Sequence, residues 1–174
     1  MSGERTSIVL EGDVTERELS NLPESIVDVT VNGNVHVSRK SDFEFDLIVH
    51  GDFRSEECSI GCYDIYADGG FVAKGDVECI NITVGSNLMV EGDLECSDIS
   101  VGGNLLVKGD IESKNIHTGN NFSVKGDVDC GDLRVGGNLF VEGDIDCDEV
   151  YIGGDCSVEG DVECDCLYTG INMS

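Results

Sequence analysis

The sequence is poor in proline, tryptophan and basic residues. Pro occurs once and Trp not at all, whereas Gly occurs 23 times, and this balance favours many tight turns and few helices. Lys and Arg total 10 against 36 acidic residues, which gives a net charge of −26. Because phosphate binding needs clustered Lys and Arg, the charge argues against nucleic acid and anionic membranes as partners. Cations or a basic protein partner would suit such a surface better.

Long apolar runs are also lacking. No stretch approaches the roughly 20 apolar residues of a membrane span, and the opening MSGERTSIVLEGD does not resemble a secretion signal. Nine cysteines without such a signal favour free thiols in a reducing compartment. We therefore expect a cytoplasmic protein. Its 174 residues, 40% of them hydrophobic, are enough for one domain with a buried core.

The strongest pattern is an internal repeat of 17 residues. The dipeptide Gly-Asp recurs at this constant interval, and the unit reads V-[KE]-G-D-[VIL]-[ED]-C-x-x-[IVL]-x-[VIT]-G-x-N-[LF]-x. The glycines are Gly75, Gly92, Gly109, Gly126, Gly143 and Gly160. A fixed period of this length is typical of solenoids, in which each repeat is one coil.

Apolar residues within each unit are mostly two apart, as in strands with one face inward. Glycines and polar pairs interrupt them, which predicts three short strands and three corners per unit. Segments this short are stable only when coils stack in parallel and share a core. The sequence therefore predicts an all-β, single-domain parallel β-helix with triangular coils of 17 residues.

The repeat divides the predicted domain, residues 1–174, into two parts. Residues 73–174 form six regular coils, and residues 1–72 form two or three irregular ones. Gly51-Asp52 is expected to begin a coil of the same kind, separated from the next by a seven-residue excess around Glu56 to Cys62. Thr15 and Pro23 bracket a short helix signal at residues 15–22, which could cap the first coils.

Two further columns predict ladders of equivalent side chains. Stacked Asn side chains can hydrogen-bond to one another and tolerate turns. Cysteine fits an inward position near a corner, where in-register thiols point alike and suit a disulfide poorly. Cys58 and Cys62 are expected to be the more exposed thiols. The ladder residues are Asn87, Asn104, Asn121 and Asn138, and Cys79, Cys96, Cys130, Cys147 and Cys164.

Residues that would carry catalysis are not grouped. The three histidines are scattered, and no Ser–His–Asp pattern or phosphate loop occurs, so we expect no enzyme and no cofactor. The Asp after each repeat Gly is expected to accept backbone N–H groups at its turn. Calcium binding between coils by these carboxylates, or by the acidic residues two positions later, is the alternative. The same alternative makes the chain an acidic binding module for divalent cations or a basic protein.

The units V-K-G-D-I-E-S-K and V-E-G-D-I-D, alternating with I-x-V-G-x-N-L-x-V, resemble the bactofilins over residues 73–174. These are polymer-forming cytoskeletal proteins of bacteria, with relatives in some archaea. The resemblance implies a right-handed β-helix that stacks end to end without nucleotide. The folded N-terminal third, the cysteine column and the acidity depart from that family, and a capped N-terminal end would give tail-to-tail dimers instead of filaments.

Two surfaces are candidates for self-association. The sequence stops inside the sixth unit without a charged or helical cap, and an uncovered strand edge is a template for further pairing. We therefore expect an end-to-end contact through Val162, Leu167, Thr169 and Met173, with a frayed coil as the alternative. A row of outward residues, Met89, Leu106 and Phe140, is either a lateral contact between solenoids or scattered surface apolar residues.

Overall fold

The computed structural model describes residues 6–56 and 58–170. They form a parallel β-solenoid with about 10 turns of roughly 17 residues, so the predicted fold class is confirmed. The handedness implied by the resemblance stays a prediction.

The solenoid contains one short helix and strands of two typical lengths. In chain order the elements are β1 (Thr6–Glu11), β2 (Val14–Thr15), α1 (Glu16–Ser20), β3 (Ile26–Asn32), β4 (Val35–Val37), β5 (Ser41–Asp42), β6 (Asp46–Val49), β7 (Phe53–Ser55), β8 (Ile60–Ala67), β9 (Phe71–Ala73), β10 (Val77–Val84), β11 (Leu88–Val90), β12 (Leu94–Val101), β13 (Leu105–Val107), β14 (Ile111–Thr118), β15 (Phe122–Val124), β16 (Val128–Val135), β17 (Leu139–Val141), β18 (Ile145–Ile152), β19 (Cys156–Val158) and β20 (Val162–Thr169).

The strands form two parallel sheets along the solenoid. An 11-stranded sheet has the order β1-β3-β6-β8-β10-β12-β14-β16-β18-β20, with β5 also paired to β8, and a 9-stranded sheet has the order β19-β17-β15-β13-β11-β9-β7-β4-β2. From β8 onward each coil supplies one eight-residue strand and one three-residue strand. The ladder between β10 and β12 omits Ile80 and Ser97, where the long strand turns a corner. Each coil thus has the three straight segments expected.

The repeat sets the register of the regular coils. Val77 pairs with Leu94, and Leu94 pairs with Ile111. Equivalent residues therefore stack directly, and their inward side chains form one continuous core. Val90, Val107 and Val124 within this core have no exposed surface. Since Val77 also pairs with Ile60, the 17-residue spacing begins at β8, one coil before residue 73.

The prediction for Gly51-Asp52 is wrong, because this dipeptide lies at the corner of the Asn column. The Asp52 N–H donates to Asn34 Oδ1 (2.9 Å), and the Gly70 N–H donates to Asp52 Oδ1 (2.7 Å). Phe53 pairs with Phe71, an interval of 18 residues. No seven-residue excess separates the coils. Both corners need a small residue followed by a side-chain oxygen, so Gly-Asp suits either one.

The helix expected within residues 15–22 is present as α1 and closes part of the first coil. The Glu18 carboxylate accepts the N–H (2.9 Å) and the hydroxyl (3.0 Å) of Thr15, an arrangement that satisfies a free donor at the helix start. These bonds hold the pKa of Glu18 below its usual value. Leu19, on the inner side of α1, is 1% exposed and belongs to the core.

Candidate functional site

The repeat Asp residues form a ladder that links each coil to the next. Each Asp Oδ1 accepts the backbone N–H of the following Asp, at 2.7–3.1 Å from Asp76 to Asp161. The expected turn role is therefore correct in its chemistry, but the bond crosses between coils. A Cβ on Gly109 would clash with the Asp93 carboxylate and the Gly92 backbone, which explains why Gly precedes Asp here.

The Asn column works in the same way. The N–H groups of Asn104, Asn121 and Asn138 donate to the Oδ1 of the preceding Asn at 2.8–3.1 Å. Bonds between the side chains themselves were expected, and Asn104 Nδ2 makes one to Asn87 Oδ1 (3.0 Å). The main link is thus from side chain to backbone. The ladder continues through Asp155, whose N–H donates to Asn138 Oδ1 (2.9 Å).

The cysteine column is a ladder of free thiols, and it is longer than the sequence pattern indicated. Cys62 pairs in register with Cys79, and Ser113 interrupts the column with bonds to the Ser97 and Asn115 carbonyls at 3.1 Å. The expectation that Cys58 and Cys62 are exposed is wrong, since they are 6% and 8% exposed. Burial raises the pKa of the Cys62 thiol to about 12. These thiols fill core positions because the early coils follow the same inward pattern.

The row proposed for lateral contact lies on the outer face of the 9-stranded sheet. Met89 pairs with Leu106, and Ser123 separates them from Phe140. Val72 pairs with Met89 and extends the row by one coil, although the repeat pattern around it was too loose to include it. Phe140 is exposed, and the other apolar members of the row are half-buried.

The last described coil leaves core positions uncovered. Val162 is 41% exposed, whereas Ile145, its partner one coil earlier, is 2% exposed. Leu167 and Thr169 are half-buried, and Met173 lies outside the described residues. The opening into the core is an apolar cavity of about 270 Å³ lined by Ile145, Val150, Cys156, Val158, Gly160, Val162 and Leu167. Three of the four predicted self-association residues therefore lie on this coil.

An aromatic and cationic row that the sequence interpretation missed also reaches this coil. The rings of Tyr151 and Tyr168 stack at 4.7 Å, and the Arg134 guanidinium lies 5.3 Å from the Tyr151 ring centre. Tyr168 is 54% exposed. The repeat alignment places these residues in one column with His117, so stacking of planar side chains was the available signal.

The charge distribution differs along the axis. Within the regular coils, ion pairs join Lys108 to Glu91 and Lys125 to Glu142, both at 3.2 Å, as expected for rim pairs. After Arg134, residues 135–170 contain no Lys, Arg or His. The coil that exposes core residues is therefore also strongly acidic.

A shallow groove follows the corner beside the cysteine ladder. Its volume is about 770 Å³, and the carboxylates on its wall come from Glu78, Glu95, Glu112 and Asp129. In residues 6–56 and 58–170, no cluster of three or more His, Cys, Asp or Glu side chains is arranged to hold a metal ion. Over the same residues, no helix has the length and apolar character needed to cross a membrane.

Comparison with known proteins gives one family match. The family model described as "Bactofilin: Polymer-forming cytoskeletal" matches residues 83–172, just over half of the chain. No match was found among curated proteins or among solved structures. The matched range includes the regular coils with their Asp, Asn and cysteine ladders.

Proposed function

The chain belongs to the bactofilin family of polymer-forming cytoskeletal proteins, and on this premise we propose that it is a scaffold protein that self-associates end to end through its last described coil. Joining two such ends gives dimers, and joining both ends of every copy gives filaments. The observation that carries the proposal is the loss of cover over Val162 and Leu167, whose equivalents in earlier coils are buried.

The physical argument rests on the edge strand β20. Within the described residues β20 pairs only with β18, so its outer backbone N–H and C=O groups are available to another strand. The apolar cavity behind it is lined by Val158, Val162 and Leu167. A second copy placed on this end would pair the strand and cover the cavity, and both effects favour association.

The family assignment also supports a non-enzymatic role, because the family is described by its polymers and not by a reaction. No cofactor is required by the proposed assembly. The nine cysteines are free, which agrees with a reducing compartment and with the proposed cytoplasmic location. The partner in this account is another copy of the same chain.

Replacing Leu167 by Lys tests the proposal. The change places a charge in the cavity at the end of the solenoid, where burial of an unpaired charge is costly. We expect a smaller particle by size-exclusion chromatography with light scattering, at a protein concentration where the unmodified chain is assembled. Equal particle masses for the two proteins would refute the proposed end contact.

Ile80→Lys is the matched control. Ile80 is 52% exposed on the side of the solenoid, so the substitution adds the same charge without touching the end coil. The control should retain the particle mass of the unmodified chain. If it dissociates as well, the effect of Leu167→Lys reflects total charge and not the contact.

A lateral contact through Met89, Leu106 and Phe140 is a second element of the proposal. These residues share one outer row with Val72, and a row of apolar side chains on a flat sheet is suited to packing against another solenoid. Phe140→Lys should leave single filaments or dimers intact and remove their side-by-side pairing in negative-stain images. Unchanged pairing would leave the row as scattered surface residues.

The alternative function is an acidic binding module, and the groove lined by Glu78, Glu95, Glu112 and Asp129 is the observation that favours it. Carboxylates repeated at the coil spacing would attract a divalent cation or a basic protein. Binding of Ca²⁺ would raise the melting temperature as the ion is titrated. A flat titration would count against the cation form of this function.

A further inference from the structure

Two core thiols, those of Cys130 and Cys147, are in direct contact. Their Sγ atoms are 2.7 Å apart, although both cysteines are free. The residues pair in register between β16 and β18, and they are 5% and 4% exposed. The sequence interpretation expected stacked thiols to point alike. Instead, the two side chains converge at the corner of the coil.

The backbone at this position permits a covalent bond between the two sulfur atoms. Adjacent parallel strands are about 4.8 Å apart, and disulfides form between Cα atoms about 4.4–6.8 Å apart. No strand would have to leave the sheet, because the register already places the two residues opposite each other.

We propose that Cys130 and Cys147 are an oxidisable pair, at which a low-molecular-weight disulfide such as oxidised glutathione forms a covalent staple between neighbouring coils. One protein thiolate attacks the oxidant, forms a mixed disulfide and releases one reduced oxidant thiol. The second protein thiol loses its proton and displaces the other oxidant thiol. The protein loses two hydrogen atoms and two electrons in total, and the oxidant becomes two thiols.

The staple would act on stability. It joins residues 17 positions apart, so it restricts the unfolded chain and prevents β18 from separating from β16. The coils beyond β18 are those with the least covered core, and the staple would anchor the coil on which they stack. This effect is independent of the proposed assembly, because the pair is buried within one chain.

The chemistry also predicts the pH dependence of the reaction. The hydrogen bond with the Cys147 thiol, followed by burial, raises the pKa of Cys130 well above its usual value. The attacking species is the thiolate. Oxidation should therefore be slow at neutral pH and should accelerate as the pH rises, more steeply than for an ordinary exposed thiol.

The test is to incubate the full chain with oxidised glutathione under native conditions at mildly alkaline pH. After the remaining thiols are alkylated, mass spectrometry should find a peptide pair linked through Cys130 and Cys147. The melting temperature should rise and should return to its starting value when a reductant is added. Two unlinked, alkylated residues after partly exposed Cys166 has reacted would overturn the proposal, as would linkage of either residue to a different cysteine.

Cys147→Ser is the matched variant, because Ser113 occupies the same column with its hydroxyl hydrogen-bonded. Under reducing conditions its melting temperature should be close to that of the unmodified chain. Oxidised glutathione should produce no increase in it. An equal increase in variant and unmodified chain would assign the stabilisation to other cysteines and refute the pair. Should the variant fold poorly, reversal of the increase by reductant in the unmodified chain remains decisive.

Discussion

The two ends of the described solenoid differ in how they cover the core. At the N-terminal end, α1 places Leu19 over the first coils, and Leu19 and Val14 are 1% and 3% exposed. At the other end, no helix lies over β20 in the described residues, and Val162 is 41% exposed. The same core pattern is therefore closed at one end by local structure and left open at the other.

This difference shows where a repeat protein stores stability and where it can bind. An inner coil has neighbours on both sides, so every ladder bond and core contact is made twice. An end coil makes each only once unless a cap or another chain supplies the rest. The helix supplies this cover at the first coil, and we propose that another copy supplies it at the last one.

The largest expected effect comes from removing the same side chain at each end. Leu19→Ala removes a fully buried side chain and should lower the free energy of unfolding by about 2–5 kcal/mol. Leu167→Ala at the open end should cost about 1 kcal/mol or less in dilute, unassembled protein, because Leu167 is only half-buried. Urea unfolding of both variants at low concentration measures the difference. Equal losses would mean that the two ends are equally closed.

A smaller effect should separate inner and end positions of the Asn corner. Asn104→Ala removes the acceptor of the Asn121 N–H and the donor to Asn87, which should cost about 1–2 kcal/mol. Asp155→Ala keeps the backbone bond to Asn138 and should change stability by less than about 0.5 kcal/mol. Thermal unfolding of the pair provides the measurement. A large loss for Asp155→Ala would show that its carboxylate already serves a further coil.

The smallest expected effect is a gain in stability. Thr118 Oγ1 is buried without a hydrogen-bond partner in the described residues, whereas Val101 and Val135 occupy the same column. Thr118→Val should therefore raise the free energy of unfolding by about 0.5–1 kcal/mol. Thr169→Val, at the half-buried end position, should have little effect. A loss of stability in Thr118→Val would mean that the hydroxyl is satisfied in solution.

Much of the fold was predictable because a strict period fixes both register and inward positions. Once Gly75, Gly92 and Gly109 set the interval, stacking of the Asp, Asn and Cys columns followed. The early coils were harder to align because intervals of 17 and 18 residues alternate with longer ones there. Gly51-Asp52 was assigned to the wrong corner since the two corners share the same chemistry.

The candidate site was less predictable than the fold. Leu167 and Val162 were identified because an interrupted repeat exposes core positions, but the stacking of Tyr168 on Tyr151 depends on side-chain geometry that a periodic pattern does not encode. The convergence of Cys130 and Cys147 has the same origin. In-register stacking fixes the positions of Cα atoms and leaves the direction of the side chains to the local bend at the corner.

Light scattering of the unmodified chain over a wide range of protein concentration tests the central claim most directly. If the open coil is an assembly surface, the average mass should rise with concentration. Added salt should strengthen the association because it screens the acidic residues of the last coils. A mass that stays at that of one 18.6 kDa chain at the highest concentration and in high salt would contradict the proposed assembly.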